Sequence, residues 1–221
     1  MAFGALIARF EHIRPQWLED EFRHSVMAFG GGALLSAVAL VLIPDGIEHL
    51  SKTSVCLWFV AGGISFMLLD IVLYKLNTPA SQLAAMLSDF IPESLALGAA
   101  FAIGNDTGYL LAVLIALQNV PEGFSAFREL SERSTYSAKK IVWSITAMAL
   151  LGPVAGVSGY IWLGDQPALL GIIMVFASGG ILYSIFQDLA PQAKLENHWF
   201  PPMGAVLGFM FGLLGFMLSH G

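Results

Sequence analysis

The sequence predicts an all-helical integral membrane protein with about seven transmembrane helices, and three observations support this fold class. Of its 221 residues, 57% are hydrophobic and only 12% are charged, whereas about a quarter of the residues of a soluble domain carry charge. Uncharged stretches recur along the chain, and several approach the roughly 20 residues that span a bilayer. Lys and Arg are concentrated in alternate loops, as expected when they remain on the cytoplasmic side.

Seven segments are long and apolar enough to be predicted as spans. They cover residues 25–44, 53–69, 82–103, 107–121, 141–164, 166–187 and 199–219. All are uncharged except 82–103, which contains two acids. They are too many and too evenly distributed for one of them to be merely a cleavable signal peptide. Because the chain has no long hydrophilic loop, we expect residues 25–221 to form one polytopic domain.

The distribution of basic residues predicts the topology. With seven spans, nine basic residues fall on one side of the membrane: Arg9, Arg14, Arg23, Lys75, Arg128, Arg133, Lys139, Lys140 and Lys194. The other side receives only Lys52. This excess predicts a cytoplasmic N-terminus and a C-terminus outside. We expect the membrane to be the cell (inner) membrane.

Residues 1–24 differ from the rest of the chain. Charged residues occur between apolar residues there, and Pro15 is expected to interrupt any helix. We interpret this stretch as an amphipathic cytoplasmic segment that lies at the membrane interface. The alternative is that residues 1–10 are the apolar end of a further span whose beginning is absent from this chain.

The strongest indication of function is a motif repeated in the third and fourth spans. A polar residue, two further positions and then Pro-Glu occur at 89–93 and again at 118–122. Because consecutive spans run in opposite directions, the two copies form an inverted repeat. Many transporters form a site at the bilayer midplane from such a repeat.

The acids of this repeat need a positive partner. Asp89 and Glu93 are four residues apart, as are Gln118 and Glu122, so each pair faces the same way on its helix. A charge at mid-membrane costs roughly 2.5 to 3.5 kcal/mol even on a lenient scale. Since no Lys or Arg lies inside the spans, either a metal ion or protons should neutralise the three carboxylates.

Oxygen ligands from these side chains suit hard or borderline divalent cations. The predicted metal-binding residues are Asp89, Glu93, Gln118, Asn119 and Glu122. The single cysteine excludes a multi-cysteine metal cage and disfavours Cu(I), while zinc, manganese and iron(II) remain open. The metal is expected as substrate, with no organic cofactor and no nucleic-acid partner. The alternative is that the acids are protonated or hydrogen-bonded and serve only to pack helices together.

At these residues the sequence resembles the ZIP (Zrt/Irt-like) family of divalent metal transporters. The stretch Asn-Val-Pro-Glu-Gly at 119–123 is close to the family's fifth-helix motif His-Glu-x-Pro-Glu-Gly. Leu-Ile-Pro-Asp at 42–45 and Gln-Asp-Leu-Ala-Pro at 187–191 are similar to other family segments, so the resemblance covers the chain from about residue 25 onward. It implies a ZIP-like fold, movement of a divalent cation toward the cytoplasm through the midplane site, and a homodimer.

The departures from the family pattern define the main alternative. Asp89 stands where the family's fourth helix has a ligand histidine, and none of the five histidines lies in a span. Losing imidazole should weaken zinc binding and shift preference toward manganese or iron(II). By comparison with the family, we also expect this chain to lack the first helix, which in the family belongs to the moving portion. The alternative function is therefore a transport-inactive, ZIP-like metal-binding sensor or subunit.

Other sequence features predict structure more than chemistry. An intramembrane enzyme is not expected, because no protease-like nucleophile or His-rich metal motif lies in a span. Glycines at small-residue spacing, in 152–156 and in 204–212, predict close packing between membrane helices. Asp70 and Asp188 are expected to anchor the cytoplasmic ends of their spans, with a metal exit path as the alternative role.

Overall fold

A computed structural model describes residues 1–10, 16–76, 78–104, 107–193 and 199–220. Every regular element in these ranges is helical, so the predicted all-α fold is confirmed. The helices are α1 (Ala2–Phe10), α2 (Gln16–Ala37), α3 (Ile43–Ile47), α4 (Lys52–Leu76), α5 (Pro79–Ile103), α6 (Thr107–Arg133), α7 (Ala138–Ala149), α8 (Leu151–Trp162), α9 (Pro167–Ser184), α10 (Ala190–Gln192) and α11 (Pro201–His220). Two π-helical turns, Val38–Leu42 and Ile185–Leu189, join α2 to α3 and α9 to α10.

Six helical segments in the described residues are long and apolar enough to cross a membrane. They are Glu21–Ile47, Lys52–Leu76, Gly108–Glu132, Ala138–Trp162, Pro167–Leu189 and Pro201–Ser219. These segments coincide with six of the predicted spans and make the chain an integral multi-pass membrane protein. The other predicted span lies in α5, which has 25 residues but is not among the six. The count of seven therefore stays a prediction.

The helices pack mainly in pairs: α2 with α11, α5 with α8, α4 with α9 and α1 with α6. Glycine permits the closest approaches, because it has no side chain to hold two backbones apart. A Cβ at Gly98 of α5 would overlap the carbonyl oxygen of Gly156 in α8. A Cβ at Gly32 of α2 would likewise overlap the carbonyl oxygen of Ala205 in α11. The predicted segment 204–212 shows the same kind of contact, because a Cβ at Gly204 would overlap the carbonyl oxygen of Ser25 in α2.

The predicted span at 141–164 forms two helices that together make one crossing. Its first helix, α7, begins after Ser137, whose hydroxyl accepts a hydrogen bond from the backbone N–H of Lys140 at 3.4 Å. Such a hydroxyl is a common helix N-cap. The break falls at Leu150, three residues before Pro153, which has no N–H to bond to the preceding turn.

The π-turn at Val38–Leu42 changes which helix the chain contacts. Before the turn, α2 packs against α11 and α6, whereas after it α3 packs against α9. In α3, Gly46 lies directly against Met174 and Val175 of α9. A π-turn holds more residues than an α-turn, so it rotates the side chains that follow it around the helix axis.

The N-terminal helix α1 packs along α6. Its small residues Gly4, Ala5 and Ala8 are buried, and a Cβ at Gly4 would overlap the carbonyl oxygen of Val120. Residues 11–15 lie outside the described residues. The interfacial location expected for residues 1–24 stays a prediction.

Gly104 forms the turn between α5 and α6. Its φ is 72°, and its N–H donates a hydrogen bond to the Phe101 carbonyl at 3.2 Å. A Cβ added there would have no described atom within 4 Å, so a substitution would act through backbone conformation alone.

We predict that Gly104→Ala lowers the free energy of unfolding by about 1 kcal/mol, because an L side chain disfavours positive φ. Gly104→Asn should lower it less, since asparagine tolerates this conformation better. Thermal unfolding of the purified protein in detergent would measure both variants. An alanine variant as stable as the wild type would show that the turn does not require positive φ.

Candidate metal site

The two copies of the repeated motif face each other across α5 and α6. These helices are antiparallel neighbours, because Gly108 of α6 lies against Phe101 of α5 while Gln118 lies against Glu93. From α6, Gln118 Nε2 donates a hydrogen bond to Glu93 Oε2 of α5 at 2.5 Å. In this register Asp89 and Glu122, each one turn further from Gly104, lie at the same level of the helix pair. The structure therefore brings both motifs to one place.

The side chains at this place are buried. Glu93 and Gln118 are each 1% exposed, and Asn119 is 7% exposed. Asn119 donates a hydrogen bond from Nδ2 to the Ile115 carbonyl one turn earlier, at 2.6 Å. This bond uses the amide nitrogen and leaves the amide oxygen to another partner.

Four of the five predicted metal-binding residues each have a buried oxygen with no hydrogen-bond partner among the described residues. These oxygens are Asp89 Oδ1, Glu93 Oε1, Gln118 Oε1 and Asn119 Oδ1. Each buried acceptor without a donor costs roughly 1 to 3 kcal/mol. The group is therefore unfavourable as it stands and would be stabilised by a cation, which needs such oxygen ligands.

The three carboxylates interact electrostatically. Glu122 experiences the negative charges of both Glu93 and Asp89. Because the surroundings are poor in water, such repulsion is stronger than it would be at the surface. A divalent cation close to these carboxylates would reduce their mutual repulsion.

Pro92 and Pro121 immediately precede the two glutamates, and each lies inside a continuous helix. Proline has no N–H, so the carbonyls of Ser88 and Leu117, four residues earlier, lose their usual helical donors. Pro121 also packs against α2, where a Cβ at Gly30 would lie 2.9 Å from the proline Cβ. The repeat therefore lies at a contact between helices.

Helix α9 supplies a contact that sequence reasoning missed. The Ser184 hydroxyl hydrogen-bonds Asp89, and the charge of Asp188 also acts on that carboxylate. A lone serine in an apolar span does not indicate a contact by itself, which is why Ser184 was not predicted.

Asp188 is exposed, and its anchoring role stays a prediction. Nearby, Asp70 accepts a hydrogen bond from Tyr183 at 3.2 Å and so links α4 to α9.

Acidic and histidine side chains alone do not form a metal site in the described part of the chain. No three or more His, Cys, Asp or Glu side chains there form a group that could hold a metal ion. A site at the repeat therefore depends on the amide oxygens of Gln118 and Asn119 as well as on the acids. Among the histidines, His12 and His198 lie outside the described residues.

A multi-pass helical membrane protein with buried, unpartnered oxygens between two antiparallel helices fits the class of membrane proteins that transport cations. A family model described as "ZIP Zinc transporter" matches residues 80–219. The chain belongs to the ZIP family, and the resemblance seen in its sequence is confirmed. The description of this family names it as a family of zinc transporters.

Two curated relatives carry zinc transporter names. "Putative zinc transporter At3g08650" of Arabidopsis thaliana is 24% identical over 208 residues, which are 87% of this chain and 32% of that protein. "Zinc transporter zipt-7.2" of Caenorhabditis elegans is 24% identical over 137 residues, which are 60% of this chain and 29% of that protein. The chain thus spans about a third of the length of these curated relatives.

Proposed function

We propose that this chain moves a divalent metal cation across the membrane toward the cytoplasm through a site formed by Asp89, Glu93, Gln118, Asn119 and Glu122. The observation that carries this proposal is the group of four buried oxygens without described hydrogen-bond partners. They come from both copies of the inverted repeat, and both charged and neutral oxygens are represented. Such a mixed set can bind a cation without being so negative that release becomes impossible.

The ligand chemistry supports a preference among metals. The proposed ligands are carboxylate and amide oxygens only, and the single cysteine, Cys56, lies exposed in α4. Oxygen ligands suit manganese and iron(II) better than copper(I), and the absence of imidazole weakens binding of zinc relative to a histidine-containing site. We therefore propose manganese or iron(II) as better substrates than zinc.

The test is uptake of manganese, iron(II) and zinc by the purified chain in proteoliposomes, with protein-free liposomes as the baseline. We expect saturable uptake, with manganese and iron(II) taken up more efficiently than zinc. The Cys56→Ser variant is the matched control, and its ranking of the metals should equal that of the wild type. A preference for zinc over both other metals would contradict the proposed ligand set.

The alternative, a transport-inactive binding protein, predicts a different pair of results. The folded wild type would then bind manganese in equilibrium dialysis but show no uptake above protein-free liposomes. Finding neither binding nor uptake would contradict both functions. The cytoplasmic N-terminus, the inner-membrane location and the homodimer remain part of the proposal.

A further inference from the structure

A groove separate from the candidate metal site lies between α2, α6 and α11. Its volume is about 690 Å³, and twelve residues line it. They include Phe22 and Phe29 of α2, Val113 and Leu117 of α6, Leu207 of α11 and Phe200, which directly precedes α11. The only polar lining residue is Ser25, and its hydroxyl already donates to the Glu21 carbonyl at 2.7 Å.

The groove opens toward the lipid rather than toward the protein interior. All three helices contribute candidate membrane spans, and only 17% of the α11 span is buried. Along the groove, Phe22 is 42% exposed, Val113 56% and Phe200 60%. Because the bilayer is the medium around these side chains, lipid is the molecule that meets the groove.

We propose that this groove binds one acyl chain of an anionic glycerophospholipid. Because the lining is apolar, it offers almost no hydrogen-bond partners to water or to polar ligands. An apolar cavity of this kind favours hydrocarbon over water.

A guanidinium next to one lining residue offers a partner for a phospholipid headgroup. Arg23 follows the lining residue Phe22 in α2, and its side chain is 36% exposed. It pairs with Glu132 of α6 at 3.7 Å. A guanidinium has five N–H donors, so this ion pair leaves donors for a lipid phosphate. The phosphate therefore lies beside Arg23 while the acyl chain lies along the phenylalanines.

A bound acyl chain would contact the helix that carries half of the candidate metal site. Leu117, Val120 and Pro121 line the groove, and they alternate along α6 with Gln118, Asn119 and Glu122. The lipid would thus fill space behind the turns that present these polar side chains. This proposal concerns lipid binding and does not depend on whether the chain transports metal.

The test is native mass spectrometry of the purified chain titrated with phosphatidylglycerol. Ala116→Trp places a large side chain in the groove, since Ala116 lines it and is exposed. Ala147→Trp is the matched control, because Ala147 is exposed on α7 and is not a groove residue. We expect the most tightly bound phosphatidylglycerol molecule to bind Ala116→Trp about tenfold more weakly than it binds the wild type. This loss corresponds to roughly two buried methylene contacts. The control should bind it like the wild type.

A second variant tests the headgroup independently of the groove. Arg23→Gln should weaken phosphatidylglycerol binding several-fold but leave binding of phosphatidylcholine nearly unchanged, because only the net negative lipid depends on the cation. Equal lipid binding by the wild type and a folded Ala116→Trp variant would overturn the proposal. A shift from dimer to monomer in Ala116→Trp, without loss of lipid, would overturn it in favour of a contact between copies of the chain.

Discussion

Replacing Glu93 with glutamine is expected to reduce the initial rate of manganese uptake by at least about 100-fold. The variant keeps the shape of the side chain and can still accept a hydrogen bond from Gln118, so the contact between α5 and α6 should persist. It removes a negative charge from a side chain that is only 1% exposed. Losing an outer-shell partner of a metal ligand typically lowers affinity or activity about 10- to 100-fold, and losing a direct ligand charge should exceed this.

Glu122→Gln should have a similar effect, because Glu122 lies with Glu93 and Asp89 in the same electrostatic group. The matched control is Glu132→Gln, the same exchange on the same helix. Glu132 is 61% exposed and pairs with Arg23 at 3.7 Å, a surface contact that contributes little stability. Normal uptake by both folded site variants would exclude these carboxylates as the transport site and would leave the fold assignment intact.

The second large effect is expected at the contact between α5 and α8. Gly98→Ala would place a Cβ against the carbonyl oxygen of Gly156, where the two backbones are too close to admit it. We expect a loss of about 3 kcal/mol or more in the free energy of unfolding, because the obstacle is backbone and cannot rotate away. Since Gly98 follows Glu93 by little more than one turn of α5, manganese uptake should fall as well.

The partner glycine provides the control for this prediction. Among the described residues, a Cβ at Gly156 would have only the Ser94 carbonyl oxygen within 4 Å, at an ordinary 3.5 Å. Gly156→Ala should therefore be neutral or slightly stabilising, because alanine favours helix more than glycine does. Thermal unfolding in detergent would compare the two variants. If both alanines changed stability equally, the two helices would not be held at the distance described.

The crossing segments could be predicted because a membrane leaves the backbone few choices. Each apolar run must satisfy its own backbone hydrogen bonds, so it forms a helix. The helix ends were harder to predict. The uncharged stretch 107–121 stops at a charged residue, yet α6 continues to Arg133, because helical hydrogen bonds do not depend on side-chain polarity. Neither π-turn left a pattern in the sequence that distinguishes it from an α-helix.

The contact between the two motifs was predictable where it depends on periodicity. A four-residue spacing and antiparallel spans were enough to bring Glu93 and Gln118 together. Contacts from other helices were not predictable, because Ser184 reaches Asp89 through tertiary packing alone. The contact of α1 with α6 did leave a signal that was not used: Gly4 and Ala8 are small residues four positions apart, and both are buried against a neighbouring helix.

The π-turn at Val38–Leu42 makes chain length as important as chain composition in this part of the molecule. An exchange of one apolar residue for another there would alter packing only locally. The loss of a single residue would instead turn α3 by about 100° and carry Gly46 away from its contact with α9. Evolution should therefore permit substitutions in this stretch while selecting against insertions and deletions.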